Sequence, residues 1–283
     1  MRIQLLGTAA SEGIPGVFCN CEVCKACRAL GGKNFRSRQQ TIIDEGLLID
    51  FPADTVMHSY VHGLNLSKVH TCLVTHSHGD HFCPTEFFIR GASFMDLIEE
   101  RMTIYGTEAV LSKIEKTIEN PEKSRIAGIL IDTLFESFEV RGYKVTPLAA
   151  DHDYATCGSV LYLIEKDGKA YLHGTDTAYF PEETWSFLEK AGVHLDAVVL
   201  DATFFTWDHL TKTGVDGLSY GHMSMFCCAQ VKERLEEIGI ADRNTKVVLT
   251  HMAHCAAATH DEMQKKADAY GLIVGYDGMV IDI

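Results

Sequence analysis

Thr75-His76-Ser77-His78-Gly79-Asp80-His81 directly follows the apolar run Thr71-Cys72-Leu73-Val74 and puts three histidines and an aspartate into six consecutive positions. A solitary histidine is ordinarily a surface residue or a hydrogen-bonded core residue, but four imidazole and carboxylate donors this close together are a ligand set for Zn²⁺, Mn²⁺ or Fe²⁺. Side chains alternate along extended backbone, so His76 and His78 fall on one side. Asp80 and His81 lie around the following turn, free to reach a second ion. The spacing therefore points to two metals.

Further donors recur after strand-like runs. His152 follows Tyr143-Lys144-Val145-Thr146-Pro147-Leu148, Asp176 follows Ala170-Tyr171-Leu172-His173, and His251 follows Lys246-Val247-Val248-Leu249-Thr250. Two of these turns echo each other. Leu73-Val74-Thr75-His76 and Val248-Leu249-Thr250-His251 share a strand, threonine, histidine arrangement that suggests a duplicated half.

The ordered blocks H-x-H-x-D-H, His, Asp and His, spread from His76 to His251, resemble the metallo-β-lactamase superfamily. Leu48-Ile49-Asp50 is similar to that family's early strand ending in a structural aspartate, and Tyr276-Asp277-Gly278-Met279 to its final strand. The resemblance implies an α/β fold, the four-layer αββα sandwich. It also implies that His76, His78 and His152 hold one divalent ion, that Asp80, His81 and His251 hold the other, and that Asp176 bridges them.

Near the N-terminus, Cys19-Asn20-Cys21-Glu22-Val23-Cys24-Lys25-Ala26-Cys27 places four cysteines in nine positions. This C-x-C-x-x-C-x-x-C spacing suits thiolate ligation of a structural zinc better than packing or disulfides, because the other six cysteines are scattered. Spacing alone leaves the fourth ligand open between Cys27 and His254, which stands three residues after His251. C-x-C-x-x-C together with H-x-x-H resembles the phosphoribosyl 1,2-cyclic phosphate phosphodiesterase (PhnP-like) family, as does the opening stretch Gly7-Thr8-Ala9-Ala10-Ser11-Glu12-Gly13-Ile14-Pro15. That likeness implies Cys19, Cys21, Cys24 and His254 as the zinc ligands, with Cys27 as the alternative. A zinc held through His254 would tie the N-terminal loop to the metal turn, whereas a four-cysteine knuckle would be local.

Two ions about 3.5–4 Å apart lower the pKa of bound water from 15.7 to about 7 and stabilise charge on attacking and departing oxygens. The implied activity is hydrolysis of a small phosphodiester, cyclic ones included, by a metal-bridging hydroxide. Protonating the leaving alkoxide needs an acid. Leu200-Asp201-Ala202-Thr203-Phe204 and Gly221-His222-Met223-Ser224 resemble blocks of the phosphodiesterase branches, ribonuclease Z among them, which implies His222 as general acid and Asp201 as its partner. Asp80 joins them as a catalytic residue besides being a ligand. The plainer reading is that His222 caps the next helix. Two other functions compete: a ribonuclease Z-like tRNA endonuclease, and a non-catalytic metal-loaded protein akin to the pyrroloquinoline quinone synthesis branch. The second is disfavoured because H-x-H-x-D-H is complete here.

The chain has 283 residues, 46% of them hydrophobic, enough for a sizeable core and a single domain over 1–283 carrying a cysteine-rich zinc loop at 18–28. Lysine plus arginine number 25 against 39 aspartate plus glutamate, a formal net charge of −14 that disfavours nucleic acid as a partner. The substrate-gripping arm of ribonuclease Z has no counterpart. Met1-Arg2-Ile3-Gln4-Leu5-Leu6 is too short an apolar stretch for a signal peptide, and no run approaches the ~20 residues of a membrane helix, so the expected location is cytoplasmic and off the membrane. Relatives of this kind often form homodimers. Strand-like runs fall at 2–6, 46–50, 71–75, 143–148, 159–164, 169–173, 197–201 and 246–250, and helical periodicity at 53–62, 84–99, 107–118, 182–191, 224–238 and 260–269. The remaining histidines need no metal, although His173, Thr75 and Thr250 are placed to orient ligands.

Overall fold

Residues alternate between two apolar faces along most strands, and this alternation builds the layers. The computed structural model describes residues 1–91, 100–210 and 221–283. In chain order the strands are β1 (Arg2–Gly7), β2 (Gln40–Ile43), β3 (Leu47–Ile49), β4 (Thr71–Leu73), β5 (Met102–Gly106), β6 (Ile126–Leu130), β7 (Phe138–Val140), β8 (Tyr143–Ala149), β9 (Val160–Lys166), β10 (Lys169–Gly174), β11 (Ala197–Asp201), β12 (Lys246–Thr250), β13 (Ile273–Val274) and β14 (Val280–Asp282). They form two mixed sheets, ordered β14-β1-β2-β3-β4-β5-β6 and β13-β12-β11-β10-β9-β8-β7. The helices are α1 (Glu22–Leu30), α2 (Thr55–Val61), α3 (Glu108–Thr117), α4 (Pro121–Ser124), α5 (Tyr154–Cys157), α6 (Glu182–Ala191), α7 (Met225–Glu237) and α8 (His260–Ala267).

Three apolar clusters separate the layers. Ile3, Leu5, Leu47, Ile49 and Leu73 of the first sheet meet Val145, Tyr162, Tyr171, Val199 and Val248 of the second. Their sequence neighbours face outward. Leu48, Cys72 and Ile104 pack with Val110 and Ile114 of α3, while Leu172, Val198, Leu200, Val247 and Leu249 pack with Trp185 of α6, Val231 and Leu235 of α7, and Met263 of α8. The result is the αββα sandwich. A one-residue slip in any of these strands would exchange its two faces, so each register is tightly held.

Parallel pairing brings the strand ends that matter to one edge. Strands β3 and β4 pair in parallel, as do β10 with β11 and β11 with β12. Asp50, Thr75 and His76 follow the first pair, and Asp176, Asp201 and His251 end or follow the others.

Some expectations need correction. The stretch 18–28 is only partly loop, since α1 starts at Glu22 and turns both Cys24 and Cys27 inward. The final strand starts at Val280, not Tyr276. Asp277 instead accepts hydrogen bonds from Thr8 and Ser37, and Gly278 turns the chain at φ +89°. The segment expected to be helical over 84–99 is a 3₁₀ helix at Pro84–Gly91, and 92–99 lie outside the described residues. Among the described residues no helix is long and apolar enough to cross a membrane.

Candidate metal centre

The ring nitrogens at this edge have their tautomers set by neighbours. His81 Nδ1 lies 2.7 Å from Asp50 Oδ2, and His152 Nδ1 lies 3.0 Å from the Gly221 carbonyl. Both partners accept, so both Nδ1 atoms carry the proton. Thr75 Oγ1 donates to Asp50, so at 3.0 Å it accepts from His76 Nδ1. Thr203 Oγ1 donates to the His251 carbonyl or to Asp201, so at 2.8 Å it accepts from His251 Nδ1. In the neutral form of these four imidazoles, therefore, Nε2 is left as a bare lone pair.

Those lone pairs converge. His76 Nε2 lies 3.1 Å from His78 Nδ1, which lies 3.3 Å from His152 Nε2. His81 Nε2 lies 3.0 Å from His251 Nε2. Asp176 Oδ2, buried and without a hydrogen-bond partner, sits 2.9 Å from His81 Nε2 and 3.2 Å from His251 Nε2. Its Oδ1 lies 3.7 Å from His152 Nε2, and Asp80 Oδ2 lies 3.7 and 3.8 Å from the Nε2 atoms of His81 and His251. Facing lone pairs repel unless a proton or a metal ion lies between them. Burial opposes charge on His81 and His251, but the Asp176 carboxylate outweighs it and raises both, so a proton fills that place when no ion does. Ligands on one ion at about 2.0–2.2 Å stand about 3 Å apart. The donor set fits divalent metal. His76, His78 and His152 form one group, and His81, His251, Asp80 and Asp176 Oδ2 the other, with the Asp176 carboxylate between.

All seven side chains that the sequence pointed to are thus brought together. The expected acid lies beside them. His222 Nδ1 is 2.9 Å from Asp201 Oδ2, and its ring stacks near His251 with centroids 5.5 Å apart. Burial opposes charge on His222, but the Asp201 carboxylate outweighs it and raises the imidazole above its ordinary value. His222 does not cap α7. Ser224 does, its hydroxyl accepting from the Cys227 amide at 3.1 Å.

Sequence reasoning missed Thr203, whose hydroxyl joins Asp201, His222 and His251. The D-A-T spelling was its only signal. It also missed the Gly221 carbonyl that orients His152, which no side chain could announce. Thr75 does orient His76, but Thr250 bonds Gln39 instead. His173 bonds Tyr171 and Thr175, neither of them a ligand.

The sulfurs of Cys19, Cys21 and Cys24 and a ring nitrogen of His254 all lie within 4.8 Å of one another, whereas Cys27 packs in the apolar core. Backbone amides of Gly16 and Cys21 point at Cys24 and Cys19 sulfur, at 3.2 and 3.5 Å. The Cys24 backbone amide holds the Cys21 thiol down to about 6. Burial pushes the Cys24 thiol the other way, up to about 12. Three clustered thiols lined by amides, beside an imidazole, suit a structural zinc. Gly16 is required here, because a Cβ at this position would stand 2.7 Å from the His254 ring.

Two packed sheets with histidine and carboxylate donors at one shared edge define a metal-binding αββα protein. Residues 47–252 match the family model described as Beta-lactamase superfamily domain, and the chain belongs to that family. Coenzyme PQQ synthesis protein B of Methylorubrum extorquens (strain PA1) is 24% identical over 317 residues, with 100% of each chain covered. Among solved structures, Zn²⁺-bound PqqB from Methylobacterium extorquens superposes with a TM-score of 0.72 at 19% identity over 100% of both chains. A diphosphatase of the PhnP family superposes with a TM-score of 0.72 at 22% identity, covering 99% of this chain and 97% of the other.

Proposed function

We propose that this protein is a two-metal hydrolase of a small phosphodiester. The observation that carries the reading is the convergence of five imidazoles and two carboxylates beside a histidine and aspartate pair that binds no ion in the proposed scheme. His76, His78 and His152 would hold one divalent ion, Asp80, His81 and His251 the other, and Asp176 would span both. Such ions supply hydroxide near neutral pH and neutralise charge on phosphate oxygens. The protein's own part is to fix donors and move a proton. Asp50, Thr75, Thr203 and the Gly221 carbonyl hold the rings in the ligating tautomer. Asp201 binds His222 at Nδ1, which keeps the proton of the other nitrogen available to a departing alkoxide, and the ring is partly exposed to receive it. Cys19, Cys21, Cys24 and His254 would take a structural zinc.

The full-length likeness to Coenzyme PQQ synthesis protein B supports a second reading, a role in handling a cofactor or its precursor without phosphodiester turnover. A tRNA endonuclease is disfavoured by the net charge of −14. Protein reconstituted with Zn²⁺ or Mn²⁺ and incubated with bis(p-nitrophenyl) phosphate, 2′,3′-cyclic nucleotides and precursor tRNA separates these readings. Turnover of both small diesters, with that of the cyclic nucleotides falling in His222→Ala while metals are retained, supports the first. Loaded protein that turns over none of the three supports the second.

A further inference from the structure

We propose that Lys113 is a positioning residue for the metal-binding turn, acting through two backbone carbonyls. Its Nζ donates at 2.7 Å to the Ser77 carbonyl and at 2.7 Å to the Phe82 carbonyl. These two groups bracket the turn. Ser77 lies between His76 and His78, and Phe82 directly follows His81, so one ammonium ties the two ends of the segment that presents His78, Asp80 and His81.

Asp50 holds the His81 ring, and the other hydrogen bonds to the turn's backbone are main-chain ones. The Ser77 amide bonds the Cys157 carbonyl, the Phe51 amide bonds the His81 carbonyl, and the Phe82 amide bonds the His78 carbonyl. Lys113 is the side chain that closes the loop. It projects from α3, whose Val110 and Ile114 are locked into the outer apolar layer, so its reach is set by a rigid element. Among the described residues no carboxylate forms an ion pair with it, and its two short hydrogen bonds go to carbonyl oxygens and not to a surface partner.

The inference rests on the reading of His76 to His81 as ligands, and its test does not require turnover. Zinc or cobalt affinity is measured by chelator competition on wild type, Lys113→Met and Lys113→Arg, with the cysteine site as an internal reference in the same molecule. Lys113→Met keeps the apolar stem and should weaken the histidine-site ions by about 10–100-fold, the range found when groups that orient ligands are removed. The cysteine-site ion should be unchanged, and Lys113→Arg should recover much of the loss. Equal affinities in wild type and Lys113→Met would overturn the proposal. Equal weakening of all three sites would do so too, since that marks general destabilisation. If the wild type itself binds no ion at the histidines, the metal reading fails first.

Discussion

Asp50→Asn would test how far the metal centre depends on a residue that touches no metal. Asp50 is fully buried and accepts from the Thr75 amide at 2.8 Å, the Thr75 hydroxyl at 2.9 Å and His81 Nδ1 at 2.7 Å. Asparagine keeps one oxygen for Thr75 but turns an amide NH₂ toward His81 Nδ1–H, donor against donor. The ring must then shed the Nδ1 proton to Nε2 or rotate, and either removes a lone pair from the site. A hydrogen bond to a charged group contributes about 1.5–3 kcal/mol, and about 1.4 kcal/mol is tenfold in affinity. The ion on the His81 and His251 side should therefore bind about 10–100-fold more weakly, with the ion on the His76 and His152 side much less affected. Stepwise Zn²⁺ titration against a chelator, with thermal unfolding of loaded and metal-free protein, measures both effects. Two ions bound with wild-type affinity in Asp50→Asn would refute the claim that Asp50 sets the tautomer of His81.

Four other outcomes are expected. His222→Ala should slow alkyl phosphodiesters by about 10²–10⁴-fold but p-nitrophenyl diesters far less, because nitrophenolate departs without a proton; equal losses for both in steady-state assays would contradict the acid role. His254→Ala should release one zinc per chain by elemental analysis while the histidine-site ions stay, and an unchanged metal count would exclude His254 as a ligand. Gly221→Ala should disrupt the orientation of His152, since its Cβ would stand 2.9 Å from His152 Nδ1 and the backbone there has φ +68°; a wild-type metal titration would show that the contact is tolerated. Burial holds His58, bonded to Ser37 and Gln40, down to about 3, below the ordinary value of about 6.5. The unfolded chain then binds the extra proton between those values, so stability falls as pH drops from about 6.5 toward 3. His58→Gln should flatten that slope by up to about 1.4 kcal/mol per pH unit, read from urea unfolding at several pH values, and identical slopes would exclude His58 as a contributor.

The metal edge was legible because its donors are chemically unusual and stand where apolar runs stop, so His76 to His81, His152, Asp176 and His251 were readable from spacing. The longer strands were readable for a related reason: β8, β9, β11 and β12 are apolar and rich in branched residues. Strand β2 opens on polar Gln40, β6 carries Gly128, and β13 has only two residues, so none stands out from neighbouring loop. Helix α1 was hidden by its own cysteines, whose three-residue spacing reads equally as ligand spacing and as one helical face. Of the groups that fix the tautomers, Asp50 and Thr75 were readable and the other two were the least legible. Thr203 acts through a hydroxyl shared among three partners, and Gly221 through a carbonyl that every residue possesses. Lys113 is separated by about 30 residues from the turn it holds.

The central claim is that two ions bind among the seven histidine and aspartate donors and a third among the cysteines. Plasma mass spectrometry of protein reconstituted with zinc and desalted, set beside an Asp176→Ala variant and a Cys21→Ala variant, tests it most directly. About three equivalents in the wild type are expected, with loss confined to the histidine site in Asp176→Ala and to the cysteine site in Cys21→Ala. A wild-type chain holding at most one equivalent, or an Asp176→Ala variant that keeps all three, would contradict it.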